Sequence, residues 1–214
     1  MSVKKHEWRK AEKRLYLPKN KPEILEVPSL NFFTIKGAGN PNAPEFAPNI
    51  QVLYALSYAI RMSPKKGTEP PGYFEYTVYP LEGVWDVSGD VKANPDEPFT
   101  KDDLVFELMI RQPDFVTEEY AKSVIEAVRS EKNPEFIDRV EFKTIEEGLC
   151  VQMLHLGSYD SEPATFEIME EYARTQGLKR ESKTHREIYI SAPGKTPPEK
   201  LKTTLRFRAI HRSF

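Results

Sequence analysis

Cysteine is nearly absent from this chain. Cys150 is the only one, which excludes an internal disulfide. Long apolar runs are absent too, since no stretch approaches the roughly 18 apolar residues that a membrane-spanning helix needs. The start, Met1-Ser2-Val3-Lys4-Lys5-His6-Glu7-Trp8, has no apolar core behind its positive charges. It does not read as a secretory signal, and the expected location is cytoplasmic. Neither sign of charge is in excess: 31 basic against 33 acidic residues leave a net charge of −2. A nucleic-acid binder ordinarily carries a basic surplus, because phosphate neutralisation supplies most of its non-specific affinity. The one basic cluster, Lys4, Lys5, Arg9, Lys10, Lys13 and Arg14, is interrupted by Glu7 and Glu12 and reads as a solvated helical lead-in. No nucleic-acid partner and no membrane partner are expected. The four histidines, His6, His155, His185 and His211, are far apart, with no His-x-x-x-His and no cysteine pair. With no acidic cluster at ligand spacing either, neither a metal site nor a cofactor is expected. There is no Gly-x-Ser-x-Gly elbow. Gly37 and Gly39 lack the third glycine and the Lys-Ser/Thr pair of a phosphate loop.

What remains is an ordinary globular composition, 39% hydrophobic and 30% charged, in 214 residues. That length suits one large domain or two small repeats. Residues 1–26 read as a charged helical arm followed by a connector with Pro18 and Pro22. Val27–Ile35 is β-branched and aromatic and reads as a strand, ending in the turn 36–44. A helix follows from about Glu45 to Met62, with Phe46, Ile50, Leu53, Tyr54 and Ser57 on one stripe. Tyr73–Tyr79 alternates like a strand, and Pro80–Asp86 reads as a turn into a neighbouring strand. After a polar connector over 86–103, the apolar run Leu104–Gln112 predicts a strand covered on both faces and ended by Pro113. Thr117 caps a helix to about Lys132. Strand character returns at Arg139–Lys143 and Gly148–Leu156, then a helix over Pro163–Gln176, with Gly177 at its left-handed end. Strands at His185–Ser191 and Leu201–Ile210 complete the chain. The order strand–turn–helix–strand–strand therefore occurs twice, at about 27–112 and 140–210. The expected fold is α+β: tandem βαββ halves forming one antiparallel sheet, helices on one face, and a ligand cleft between the halves.

The chemistry centres on Thr184–Pro193, whose alternation puts Glu187 on one strand face with His185 and Tyr189. Tyr73–Tyr79 looks like its echo, with Glu75 sharing a face with Thr77 and Tyr79. Aromatic residues around one or two carboxylates would attract flat, cationic or amphipathic molecules by stacking and cation–π contact. A partly buried carboxylate would also suit general acid–base work. On pattern alone, Glu187 is equally readable as a surface acid. Tyr54 and Tyr58, four apart on a helix, could meet as a cavity wall or pack on a sheet. His155 joins the ligand-binding candidates, with the orientation of Glu75 and His155 left open. Cys150 lies in an apolar strand and reads as a small core residue.

Four segments carry a resemblance that covers most of the chain: Ile35–Asn42, Leu53–Ile60, Pro80–Trp85 and Glu187–Pro193. The sequence resembles stand-alone GyrI-like small-molecule-binding proteins, related to the effector-binding domains of bacterial multidrug-responsive regulators. That resemblance implies paired βαββ (SHS2) modules over 27–214 and an aromatic-lined pocket. It also implies a buried glutamate, here Glu187, with Tyr54, Trp85 and Tyr189 as wall residues. The implied function is binding of hydrophobic, planar or cationic small molecules for protection against toxic compounds. Some members of the family hydrolyse the cyclopropane of DNA-alkylating natural products. By that alternative Glu187 would position or deprotonate water, while Tyr189 or another aromatic steadies the leaving phenoxide.

Overall fold

The computed structural model describes residues 5–93, 100–191 and 195–212. Lys4, Ala192, Pro193 and the 94–99 part of the polar connector lie outside the described residues. The helices in chain order are α1 (Trp8–Ala11), α2 (Lys13–Tyr16), α3 (Ala47–Arg61), α4 (Gly89–Ala93), α5 (Glu118–Lys132) and α6 (Glu162–Thr175). The strands are β1 (Glu23–Val27), β2 (Leu30–Ala38), β3 (Leu81–Val87), β4 (Leu104–Gln112), β5 (Glu141–Ile145), β6 (Gly148–Leu156), β7 (Leu178–Arg180), β8 (His185–Tyr189) and β9 (Lys202–His211). None of the described helices is long and apolar enough to cross a membrane. The chain divides into two units. One is Leu30–Ile145 with the chain start up to Glu7, and the other is Trp8–Ser29 with Glu146–Phe214.

In the first unit the strands run β5-β2-β4-β3, all antiparallel. Helix α3 packs on β2 and β4 and against α5, which reaches β5. The β4 core residues Leu108, Met109 and Ile110 are fully buried, as a doubly covered strand requires. Thr117 caps α5 by accepting a hydrogen bond from the Tyr120 amide, and Asn133 ends it in a left-handed conformation. Gly37 belongs to packing rather than to phosphate binding. A Cβ there would sit 2.3 Å from the Phe106 ring, so only glycine lets that ring lie on the β2 backbone.

The second unit repeats the order as β1-β6-β9-β8, with β7 pairing at the far end of β9. Helix α6 lies on β6 and β7. Its buried face joins Val151, Met153, Met169, Ala173, Leu178, Leu205 and Phe207 in one apolar core. Each unit is thus a βαββ module (β2-α3-β3-β4 and β6-α6-β8-β9) with a fourth strand beside the module's first. In the first unit β5 supplies that strand, and in the second β1 does.

Two expectations are corrected. Tyr73–Tyr79 is not a strand, and Tyr76 makes an isolated bridge to His6. Its aromatic residues fill a core instead: Tyr73, Phe74 and Tyr76 all pack edgewise or tilted on Phe115 at 5.1–5.9 Å. Aromatic content here reflects ring packing, not ladder formation. The strand equivalent to β8 is β3, so the acidic residue on the repeated strand is the buried Glu82 and not Glu75. The N-terminal segment is not a solvated arm either. Trp8 and Tyr16 are buried against each other at 5.2 Å, and β1 extends the second unit's sheet through β6.

Candidate functional site

Strand β8 alternates Arg186 and Glu187, so the two side chains leave opposite faces of the sheet. Arg186 is held on one face by a buried ion cluster. Its Nε donates to Glu147 Oε1 at 2.9 Å, while Arg206 Nη1 donates to Glu147 Oε2 at 2.9 Å. Arg206 also donates to Gln152 Oε1 and to the Leu15 carbonyl, and Gln152 donates to the Arg14 carbonyl. Burial alone would raise the Glu147 carboxyl, but the two guanidinium groups overcome it and hold it below the ordinary carboxylate range. The cluster ties the β5–β6 turn, β8 and β9 together and so fixes which way Glu187 points.

On the other face Glu187 is buried, 8% exposed. Its Oε1 lies 3.2 Å from His185 Nε2, confirming that the two share a face. The His185 imidazole packs edgewise on Phe166 of α6 at 4.7 Å, and its Nδ1 lies 3.3 Å from the Lys183 carbonyl. The first turn of α6 adds Glu162, only 6% exposed, whose carboxyl shares a hydrogen bond with Glu187. Burial, then the adjacent Glu187 charge and that hydrogen bond, push the Glu162 carboxyl up to about 10. The two neighbouring buried carboxyls therefore favour holding a proton between them, because both cannot ionise side by side out of water. Tyr159 stands beside them with its hydroxyl pushed up to about 12 by burial and by Glu187 and Glu162. The Tyr159 ring meets Tyr189 edgewise at 6.1 Å. The second unit thus gathers two paired carboxyl groups, an imidazole and two phenols. Glu162, His185 and Glu187 each place a ligand atom within 4.8 Å of the others, a spacing that a metal ion could bridge. No local spacing signals that cluster, because its members stand at 162, 185 and 187.

The remaining expected site residues fall into different settings. His155 is buried and fully engaged: Nε2–H donates to the Ser158 carbonyl at 3.0 Å, and Nδ1 accepts from the Thr165 hydroxyl at 2.8 Å. In the first unit, Tyr54 is half-buried and Tyr58 is 53% exposed, their rings 6.2 Å apart. Burial, reinforced by Tyr58, raises the Tyr54 hydroxyl. Trp85 is buried, stacked on Phe46 at 6.0 Å and tilted against Phe106 at 5.4 Å. Tyr79 is buried under the Arg111 guanidinium, 4.6 Å from its ring centre. Glu75 is half-exposed and paired with Arg61 at 2.5 Å. Cys150 is buried, and burial together with Glu147 pushes its thiol up to about 12, which makes it unreactive. The sequence reading missed Glu162 and Tyr159. Glu162 follows Ser161 at a helix start, a place where acids are common and usually solvated, and nothing local signals its burial.

Comparison with known proteins agrees with this architecture. The sequence model of the GyrI-like small molecule binding domain matches residues 20–209. Among solved structures, a hydrolase from Listeria innocua is 37% identical, covers 96% of this chain and all of its own, and superposes with a TM-score of 0.86. An uncharacterized conserved protein from Listeria innocua is 38% identical over 96% of this chain and all of its own, with a TM-score of 0.84. The C-terminal domain of EcmrR is 15% identical, with a TM-score of 0.51 over 90% of this chain and 98% of that domain, a likeness of fold alone. No curated protein sequence matches the chain. The repeated βαββ topology and the match across 20–209 together place this chain in the GyrI-like small-molecule-binding family.

Proposed function

We propose that this protein is a small-molecule hydrolase that protects against a hydrophobic, electrophilic toxic compound, with Glu187 and Glu162 as its working pair. The observation that carries this reading is the buried carboxyl pair itself, Glu162 and Glu187, each less than a tenth exposed and gathered with His185. Burying two carboxyls together is costly for a surface that only binds apolar rings. It suits chemistry that needs an acid and a base in one place. The description of a 37% identical relative as a hydrolase supports the same reading.

For a cyclopropane conjugated to a dienone, Glu187 takes a proton from water as the water oxygen bonds to the ring methylene carbon. The cyclopropane C–C bond breaks, and its electron pair passes into the dienone, which becomes a phenolate. Glu162, or a phenol of the Tyr159–Tyr189 pair, returns a proton to that oxygen. His185 orients Glu187 from the same strand face. A second reading, binding without chemistry, is favoured by the family match to a small-molecule-binding domain.

Incubation with a cyclopropane-bearing alkylator, followed by mass analysis, separates the two. A product heavier by one water, formed over many turnovers, is expected. Stoichiometric binding with recovery of unchanged compound would remove the hydrolase reading and leave the binding one.

A further inference from the structure

Two neighbouring buried carboxyl groups beside an imidazole form a donor set that a cation can occupy. We infer that Glu162, His185 and Glu187 form a binding site for a divalent transition-metal ion such as Zn2+.

Four features of the structure support this. The three residues offer ligand atoms within 4.8 Å of one another. The 3.2 Å between His185 Nε2 and Glu187 Oε1 is close to the edge of about 3.3 Å expected for a tetrahedron with metal bonds of about 2.0–2.1 Å. Glu162 is 6% exposed, and its Oε1 is buried with no hydrogen-bond partner, an oxygen whose lone pairs are otherwise wasted. His185 has the outer contact that zinc ligands commonly show. Nδ1 faces the Lys183 carbonyl at 3.3 Å, so that Nδ1–H can donate there when Nε2 gives up its contact with Glu187 to a metal ion.

The donor set selects the metal class. One imidazole and two carboxylates suit Zn2+, Mn2+ or Fe2+, whereas Ca2+ requires about six to eight oxygens. Two ligands stand at alternate positions of β8 and one in the first turn of α6, so a strand and a helix of the same unit hold the site. Three protein ligands leave a fourth position open to water or to a ligand heteroatom. The site shares its residues with the proposed hydrolytic pair but does not rest on that reading. A bound ion engages Glu187, so metal and acid–base use of the pair exclude each other.

The test is calorimetric titration of the chelator-treated full-length chain with Zn2+, with no small-molecule substrate present. One saturable site and a rise in melting temperature on loading are expected. Co2+ should give visible absorption bands of a four-coordinate ion. Glu162→Gln and His185→Ala should each weaken Zn2+ by about tenfold or more and abolish the Co2+ bands. Glu162→Gln keeps the size of the side chain and removes one carboxylate ligand, and circular dichroism checks that the variant keeps its fold. No saturable binding to the wild type, or unchanged affinity in both variants, would overturn the proposal. Where turnover is present, Zn2+ should suppress it and a chelator restore it. If the chain has no hydrolase activity at all, the titration still decides the metal site by itself.

Discussion

Replacing Glu162 by Gln should make the metal-free protein more stable, by an amount that grows with pH. With the Glu162 carboxyl pushed up to about 10 by burial and by Glu187 beside it, the native pair holds a proton that an unfolded glutamate loses near 4.5. The native state then binds more protons than the unfolded one between those limits, so stability falls as pH rises through that window. At about pH 7.5 the cost covers about three pH units at about 1.4 kcal/mol each, or roughly 4 kcal/mol, and it does not depend on the folded value as long as that value exceeds the working pH. Gln is neutral at every pH and can still donate to Glu187, so the variant avoids this cost. Urea unfolding of both proteins from about pH 4.5 to pH 7.5 should show the stability gap widening by roughly 4 kcal/mol. For a chain of this size that corresponds to about 8–16 °C in melting temperature. Other carboxylates cancel because both proteins carry them. A gap that stays flat with pH would refute a retained proton at Glu162.

Three further changes probe the frame around the site. Glu147→Ala strands Arg186 and Arg206 as buried, uncompensated charges and should cost about 3–5 kcal/mol in chemical unfolding. Its pH sign is opposite to that of Glu162: the lowered Glu147 carboxyl stabilises above the unfolded value, and that stability is lost as pH falls through the folded one. Gly37→Ala drives a methyl into the Phe106 ring and should cost about 1–3 kcal/mol, with a matching fall in melting temperature. Glu75→Ala removes only a half-exposed pair with Arg61 and should change stability by less than about 1 kcal/mol.

Much of the fold was legible because local signals and tertiary packing agree in the middle of the chain. Strand β4 could be delimited to the residue from an apolar run closed by Pro113, helix α5 from its Thr117 cap, and β6 from its apolar alternation. Where burial depends on remote partners, the signal failed. Tyr73–Tyr79 has the composition of a strand, but its rings are claimed by Phe115. Strand β1, between Pro22 and Pro28, becomes a strand only because β6 offers it an edge. The candidate site divides in the same way. Glu187 and His185 share a face by simple alternation, which sequence shows. Glu162 reaches them only because α6 packs on its sheet, and a one-dimensional pattern carries no trace of that approach.

If Glu187 is the residue this protein presents to its ligand, Glu187→Gln is the decisive variant. Affinity for a cyclopropane-bearing alkylator and formation of the ring-opened product should be measured on the same samples of wild type and variant. Product formation should fall by about 100-fold or more, as expected when a general base is removed, while the variant keeps its fold. Wild-type rates of ring opening in Glu187→Gln, with unchanged affinity, would contradict it.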